Sequence, residues 1–168
     1  MAYLRLFAFL SCIVVIGFTP YGASAQAQSA QVSFGTLKQD PDLPVEVTAD
    51  TLAVNQQDGT AIFNGNVRVS QGEMKLAAAE VLVVYSEQNS SIQRLEATGG
   101  VTLVSGPDAA ESERADYDIT SGTIVMTNNV LLTQGTNALT ADKMTVNLRD
   151  GTAQMNGRVK TIFQNSDP

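Results

Sequence analysis

Residues 60–72 read TAIFNGNVRVSQG, and residues 123–135 read TIVMTNNVLLTQG. In both stretches apolar and polar residues alternate, a pair rich in Asn or Gly interrupts them, and alternation resumes up to Gln-Gly. Alternation with a period of two is typical of a strand with one buried face. Val67 and Val130 mark these copies, and weaker copies centre on Val101 and Val159. A repeat of about 30 residues predicts stacked β units, each unable to bury its apolar face alone.

The alternation continues along the chain from Val45 to Leu148, and short polar turns separate the runs. These turns contain dipeptides that accept the positive φ of tight hairpins, namely Asp58-Gly59, Asn64-Gly65, Ser121-Gly122, Asp150-Gly151 and Asn156-Gly157. The stretch 73–84 would pass as a helix on propensity alone. Its second half runs into VLVVY at 81–85, which is strand-like, and the repeat places it opposite another strand. The folded part is therefore predicted to be all-β and antiparallel.

The composition excludes several classes of function. The chain has 168 residues and a formal net charge of -7, with no histidine and a single cysteine, Cys12. Without histidine there is no Ser-His-Asp or Cys-His catalysis, and a His/Cys zinc site is excluded as well. The acidic balance disfavours nucleic acid, because binding phosphates requires a basic face. The length fits one domain.

The first 25 residues have the three parts of a secretory signal peptide. Arg5 precedes an apolar run over 6–18, and Ala-Ser-Ala at 23–25 follows it. The run is shorter than the ~20 residues that a spanning helix needs, although a retained anchor is the competing interpretation. Because Cys12 lies inside the run, lipidation there is not expected.

The remaining divisions follow from composition. Residues 26–41 contain a stretch rich in Gln, Ser and Ala, and they are predicted to be a linker or flexible N-terminal arm. The folded domain is expected over 42–163, and a polar tail over 164–168.

Carboxylates are the most plentiful charged groups, and Asp116 and Asp118 share one predicted strand face. Such a pair would suit calcium binding or acid–base catalysis, but nothing else in the sequence supplies a ligand set. A solvated strand face has the same pattern, and we favour that interpretation. Gly99-Gly100 reads as a turn rather than a phosphate-binding loop, because no strand–loop–helix context surrounds it. The sequence predicts no catalytic residues, no metal site and no cofactor.

The apolar alternation by itself is typical of a dry sandwich core. Its inward positions are nevertheless mostly Val, Ala and Thr, and larger side chains are few: Phe63, Leu103, Met126 and Phe163. Small side chains facing inward would leave room between two sheets. The residues alone therefore leave both a dry core and a ligand-holding groove open.

Three segments, 42–50, 63–72 and 139–144, resemble the OstA-like family, and within it the LptA-type periplasmic lipopolysaccharide transport proteins. The resemblance covers roughly 42–163. It implies an incomplete antiparallel β-jellyroll of about sixteen short strands, open along one side, with an apolar groove. It departs from the family at Asn128-Asn129, where Gly-Asn is usual, and asparagine tolerates the left-handed φ expected there.

The resemblance also implies a function and its residues. The protein would be a non-enzymatic periplasmic carrier or bridge that moves lipopolysaccharide from the inner to the outer membrane. Its partners would be an LptC-like inner-membrane protein and an LptD-like outer-membrane protein. By position in the family, the lipid A moiety would contact Val45, Val47, Phe63, Val67, Val69, Leu103, Ile119, Val130 and Leu132. The alternatives are an LptC-like member of the superfamily and a structural or adhesive β-solenoid without lipid cargo.

An open roll ends in strands with unpaired N–H and C=O groups, which recruit further strands. The N-terminal edge is predicted at Val45, Glu46, Val47 and Thr48, and the C-terminal edge at Val159, Lys160, Thr161, Ile162 and Phe163. Because the two edges differ, head-to-tail homo-oligomers are expected rather than closed dimers.

Overall fold

The computed structural model describes residues 29–34, 42–88 and 91–162. Within these ranges the chain forms a single antiparallel sheet of eleven strands. The strands are β1 (Ser29–Ser33), β2 (Glu46–Thr48), β3 (Thr51–Asn55), β4 (Thr60–Gln71), β5 (Met74–Tyr85), β6 (Ile92–Ser105), β7 (Asp108–Asp118), β8 (Thr123–Gln134), β9 (Asn137–Asn147), β10 (Thr152–Asn156) and β11 (Lys160–Ile162). The described ranges contain no helix long and apolar enough to cross a membrane. The predicted signal peptide, Phe163 and the tail lie outside them.

The six long strands, β4 to β9, all change register near their middles. The sheet bends there and folds over on itself into two layers. Layer A contains β3, the first halves of β4, β6 and β8, the second halves of β5, β7 and β9, and then β10 and β1. Layer B contains β2, the other halves of β4 to β9, and β11. We call the line of bends the ridge and the opposite side the mouth.

The bends of β4, β6 and β8 occur where the sequence supplies residues that adopt a left-handed backbone. Positive φ angles occur at Gly65-Asn66 on β4, Gly99-Gly100 on β6 and Asn128-Asn129 on β8. The expectation that two asparagines replace Gly-Asn without harm is confirmed, since their φ angles are 67° and 54°. The left-handed residues lie on every second long strand. One repeat of the sequence therefore corresponds to two bent strands, one with left-handed residues and one without.

Two further bends join short strands. The chain turns from layer B to layer A at Asp50, between β2 and β3, and from layer A to layer B at Gly157, between β10 and β11. Each of these pairs is therefore one bent strand in two pieces. The described residues thus form eight bent strands with sixteen halves, in addition to β1. The long strands run through their bends, so the strand count is eleven rather than about sixteen.

The inward face of the folded sheet is a single apolar core. Strand β5 illustrates the pattern. Met74, Leu76 and Ala78 are buried in layer B, the bend shifts the phase by one residue, and Val81 and Val83 are then buried in layer A. Alternation therefore outweighs the helix propensity of 73–84, and the predicted strand is confirmed.

Strand β1 corrects the prediction for the N-terminal arm. Residues 29–33 lie within the stretch expected to be a linker, yet they pair with β10 over five residues. Ala30 and Val32 point inward in alternation, and the next alternate residue, Phe34, is only 2% exposed. This short apolar alternation in a polar segment was the overlooked signal. The residues before 29 and those at 35–41 lie outside the described ranges.

Alanine at Gly65 should destabilise the fold more than alanine at Gly100. Both glycines have positive φ, which costs a non-glycine residue about 1–2 kcal/mol. A Cβ at Gly65 would also lie 2.5 Å from an Asp50 carboxylate oxygen, whereas one at Gly100 would meet nothing within 4 Å. We expect a loss of about 3 kcal/mol for Gly65→Ala and about 1 kcal/mol for Gly100→Ala in urea denaturation. Equal losses would show that Asp50 moves aside without cost.

Candidate functional site

Four of the nine predicted groove residues lie in one cross-strand row on the inward face of layer B. The row consists of Val47, Val69, Leu76, Leu103, Ala110, Leu132, Leu139 and Thr161. It begins on β2 and ends on β11, so it crosses the whole layer. Leu103 and Leu132 at its centre are 0% exposed. The row is thus a continuous apolar stripe, and its last residue, Thr161, is its only polar member.

Three more predicted residues lie near this row. Val67 and Val130 are buried on layer B beside the ridge. Phe63 belongs to layer A and is half-buried against the same core. All three face the space between the layers, and side chains fill that space at the centre of the molecule.

The last two predicted residues meet at the mouth. Val45 precedes β2, and Ile119 follows β7, yet both line one pocket of about 470 Å³ together with Leu43 and Ile92. Val45 and Ile119 also pack against the core. The sequence separation between them gave no sign of this meeting. The pocket lies at the opening between the layers, and Asp42, Ser91 and Thr120 complete its lining.

A chain of hydrogen bonds joins the two layers near that pocket. The Tyr117 hydroxyl, on layer A, donates to Oε1 of Gln71, on layer B, at 2.6 Å. Nε2 of Gln71 donates in turn to the backbone oxygen of Leu43 at 2.8 Å. Tyr117 and Gln71 are both about 2% exposed. We call this chain the clasp, and it fixes the layers to each other at the mouth.

The two ends of the sheet differ in how they are covered. At the N-terminal end, β2 and β3 each pair with β4. Leu52 and Val54 on β3 lie opposite the inward residues Phe63 and Ala61, so they face the interior, but they are 55% and 63% exposed. At the C-terminal end, β11 borders layer B and β1 borders layer A. The segments predicted as edges, β2 and β11, therefore lie at the two ends of layer B. The prediction did not include β3 and β1, which border layer A at the same ends.

A model of the family described as "LptA/(LptD N-terminal domain) LPS transport protein" matches residues 46–152. The chain belongs to this family. An uncharacterized protein of Rhizobium meliloti (strain 1021) is 30% identical over 156 residues, covering 86% of this chain and 84% of that protein. The lipopolysaccharide export system protein LptA of Escherichia coli (strain K12) is 24% identical over 112 residues, covering 63% of this chain and 60% of that protein.

A solved structure supports the same fold. The crystal structure of LptH, described as the LptA-homologous periplasmic component of the lipopolysaccharide transport device of Pseudomonas aeruginosa, matches with a TM-score of 0.66 at 18% identity. The match covers 75% of this chain and 99% of that one. The open antiparallel jellyroll expected from the OstA-like resemblance is confirmed.

The opposite wall of this LptA-type interior was anticipated only at Phe63 and Met126. Two inward rows cross layer A, and the first is Leu52, Phe63, Val81, Ala97, Ala115, Met126, Met144, Met155 and Ala30. The second is Val54, Ala61, Val83, Leu95, Tyr117, Ile124, Val146, Ala153 and Val32. Methionine is common in the first row, and its unbranched side chain adapts to changes in packing.

The carboxylate pair considered from the sequence lies on the outer surface of this LptA-type fold. Arg114 donates to both carboxylate oxygens of Asp116 and also to Glu96. Asp118 accepts from the backbone N–H of Ser121. Each carboxylate thus has a structural partner, as expected on a solvated strand face. Across the described ranges, no three His, Cys, Asp or Glu side chains are grouped to hold a metal ion.

The clasp should make stability depend on pH above 10. Burial raises the pKa of Tyr117 from 10.0 to about 12. The folded state therefore favours the neutral phenol, and the stability it provides is complete below pH 10 and lost as pH rises toward 12. That loss is on the order of 2–3 kcal/mol.

Tyr117→Phe removes this titration, and Tyr85→Phe is the control. At pH 7 we expect Tyr117→Phe to cost about 1 kcal/mol through the lost hydrogen bond. Between pH 10 and 12 it should lose less stability than the wild-type protein in urea titrations. An unchanged slope of stability against pH would contradict the role of Tyr117.

Proposed function

We propose that this protein is a non-enzymatic periplasmic carrier that passes lipopolysaccharide from the inner membrane toward the outer membrane. The acyl chains of lipid A would lie between layers A and B, against the three inward rows. Membership of the LPS transport family and the likeness to LptH, which is described as a periplasmic component, support this assignment.

The observation that carries the proposal is the continuity of the inward rows. They run without a charged residue from β2 and β3 at one end to β11 and β1 at the other. A core serving stability alone does not require an apolar stripe that reaches both ends of the sheet. A carrier that hands cargo onward does require it, because the cargo must enter and leave along the same path.

The energetics favour a sheltered path. Each CH₂ group exposed to water costs ~0.8 kcal/mol. An acyl chain of roughly a dozen carbons therefore costs on the order of 10 kcal/mol, so free crossing of water is negligible. Since side chains fill the interior, cargo must part the layers. Parting them at the mouth breaks the clasp, and the methionines of layer A can repack around the acyl chains.

The sheet edges would supply the partners. The edge formed by β2 and β3 would receive an LptC-like inner-membrane protein, and the edge at β10 and β11 would meet an LptD-like outer-membrane protein or a second copy. Main-chain pairing across such edges would extend both layers, and the rows would continue from one subunit into the next.

Photo-crosslinking tests where lipid is held. A photoreactive residue at Val47 or Leu103 faces inward, whereas its neighbours Glu46 and Thr102 face outward on the same strands. We expect the inward pair to capture lipopolysaccharide in cells at least tenfold more than the outward pair, and mass spectrometry of the purified adduct should find lipid A.

Equal capture at the four positions would contradict a path between the layers. Complete absence of lipid from the purified protein would favour the structural or adhesive β-solenoid. Recovery of the protein with Met1 still attached at the membrane would favour the LptC-like alternative.

A further inference from the structure

We infer that β1 is a self-supplied plug, and that a second copy of this chain must displace it in order to join end to end. The inference rests on the proposed function, since it concerns how the bridging edge is made available. The plug occupies the outer position of layer A beside β10, at the end where a following subunit would dock.

The directions of the strands are the first reason to expect that β1 must leave. Consecutive strands of layer A alternate in direction, since every pairing is antiparallel. Strand β3 runs away from the ridge, β10 runs toward it, and β1 again runs away from it. In a head-to-tail neighbour of the same orientation, β3 would lie antiparallel to β10. With β1 in place, it would instead lie parallel to β1, which breaks the ladder.

Layer B offers no such obstacle. Strand β11 runs away from the ridge and pairs with β9. Strand β2 of a following copy would run toward the ridge, antiparallel to β11. Both layers therefore continue together only when β1 has left its position beside β10.

The inward residues of β1 and β3 are the second reason, because β3 of another copy fits the place of β1. Strands β1, β3 and β10 each contain five residues. In β1 the inward residues are Ala30 and Val32, which lie beside Met155 and Ala153. Following the same rows, Leu52 and Val54 of a second copy would take these positions. Within these two rows a leucine replaces an alanine, so the incoming strand gains apolar contact there, which offsets part of the burial of Phe34 that release of the plug loses.

The surroundings of β1 show how it is held. Phe34 is buried, its backbone N–H donates to the Gly151 oxygen at 3.0 Å, and Nε2 of Gln134 donates to the Ser33 oxygen at 2.7 Å. Among the described strands β1 pairs only with β10, Val32 packs against the core, and none of its five residues is fully buried. Besides the ladder to β10, Phe34 and Val32 are therefore the main contacts that oppose its release.

The test fixes the plug with a disulfide. Val32 and Ala153 face each other across β1 and β10, so Val32→Cys with Ala153→Cys should form a cross-strand bond. Cys12→Ser leaves the engineered pair as the only cysteines. The matched control is Ala77→Cys with Thr102→Cys, which links β5 to β6 in the middle of the sheet and leaves β1 and both docking edges free. Phe34→Ala weakens the plug without touching either docking edge.

Sedimentation equilibrium then measures self-association. We expect oxidation of the β1 lock to weaken association on the order of tenfold or more, reduction to restore it, and Phe34→Ala to strengthen it. The control lock should have no such effect. Equal association of oxidised and reduced β1 lock would overturn the plug while leaving the bridge intact. If no variant associates, Phe34→Ala included, both the plug and end-to-end bridging are wrong.

Discussion

Val54→Asp should abolish end-to-end association of this protein while leaving it folded. Val54 is 63% exposed on the free edge strand β3, so an isolated molecule tolerates a carboxylate there. In a joined pair the same side chain enters an inward row beside Ala153 of the next subunit. An unpaired carboxylate buried there costs about 3 kcal/mol, on the order of 100-fold in the association constant.

Ile62→Asp is the matched control. Ile62 is also a large apolar residue on layer A, 41% exposed, but it lies opposite Ala53 and Leu82 on the outer face. Sedimentation should therefore show wild-type association for Ile62→Asp and a monomer for Val54→Asp. If both substitutions weaken association equally, the joined surface is not the inward edge of β3.

Leu103→Asp should unfold the protein at neutral pH. Leu103 is 0% exposed at the centre of the layer B row, and no cation lies opposite it in that row. Burying an unpaired carboxylate there, together with the lost apolar contacts, costs at least about 4 kcal/mol. This approaches the whole stability of a typical domain, 5–15 kcal/mol.

Thr102→Asp tests the register of the same strand. Thr102 points to the outer face of layer B, so aspartate there should change stability by less than about 0.5 kcal/mol. Circular dichroism against urea measures both variants. Comparable loss in the two would mean that β6 presents no distinct inward face.

Much of the fold follows from local sequence. Alternation identifies β4 to β9 because an inward residue is apolar at nearly every second position, and the repeat shows that the units share one plan. Asn128 and Asn129 could be placed at a bend because asparagine tolerates positive φ. The resemblance supplied the two-layer arrangement, which alternation cannot distinguish from a flat sheet.

The missed elements share one cause. Strand β1 contacts the chain more than a hundred residues further on, and nothing in 29–33 says which strand it joins. Likewise, Val45 and Ile119 meet only because the layers close at the mouth. The clasp between Tyr117 and Gln71 has the same origin. Contacts between residues far apart in the sequence form only when the sheet folds, and the local alternation of apolar residues does not predict them.

The ridge has a further consequence for how such proteins change in length. Strands with left-handed bends alternate along it with strands that lack them: Asp50 lies against Gly65 at the first position, Ala79 lies against Gly99 further along, and Asp142 lies against Gly157 at the last. The first strand therefore always brings a carboxylate and the last a glycine. Duplicating one repeat adds two strands and preserves this polarity. Gaining or losing a single bent strand would make the first and last strands run in the same direction. The last strand of one copy would then lie parallel to the first strand of the next, and copies could no longer join head to tail through antiparallel pairing.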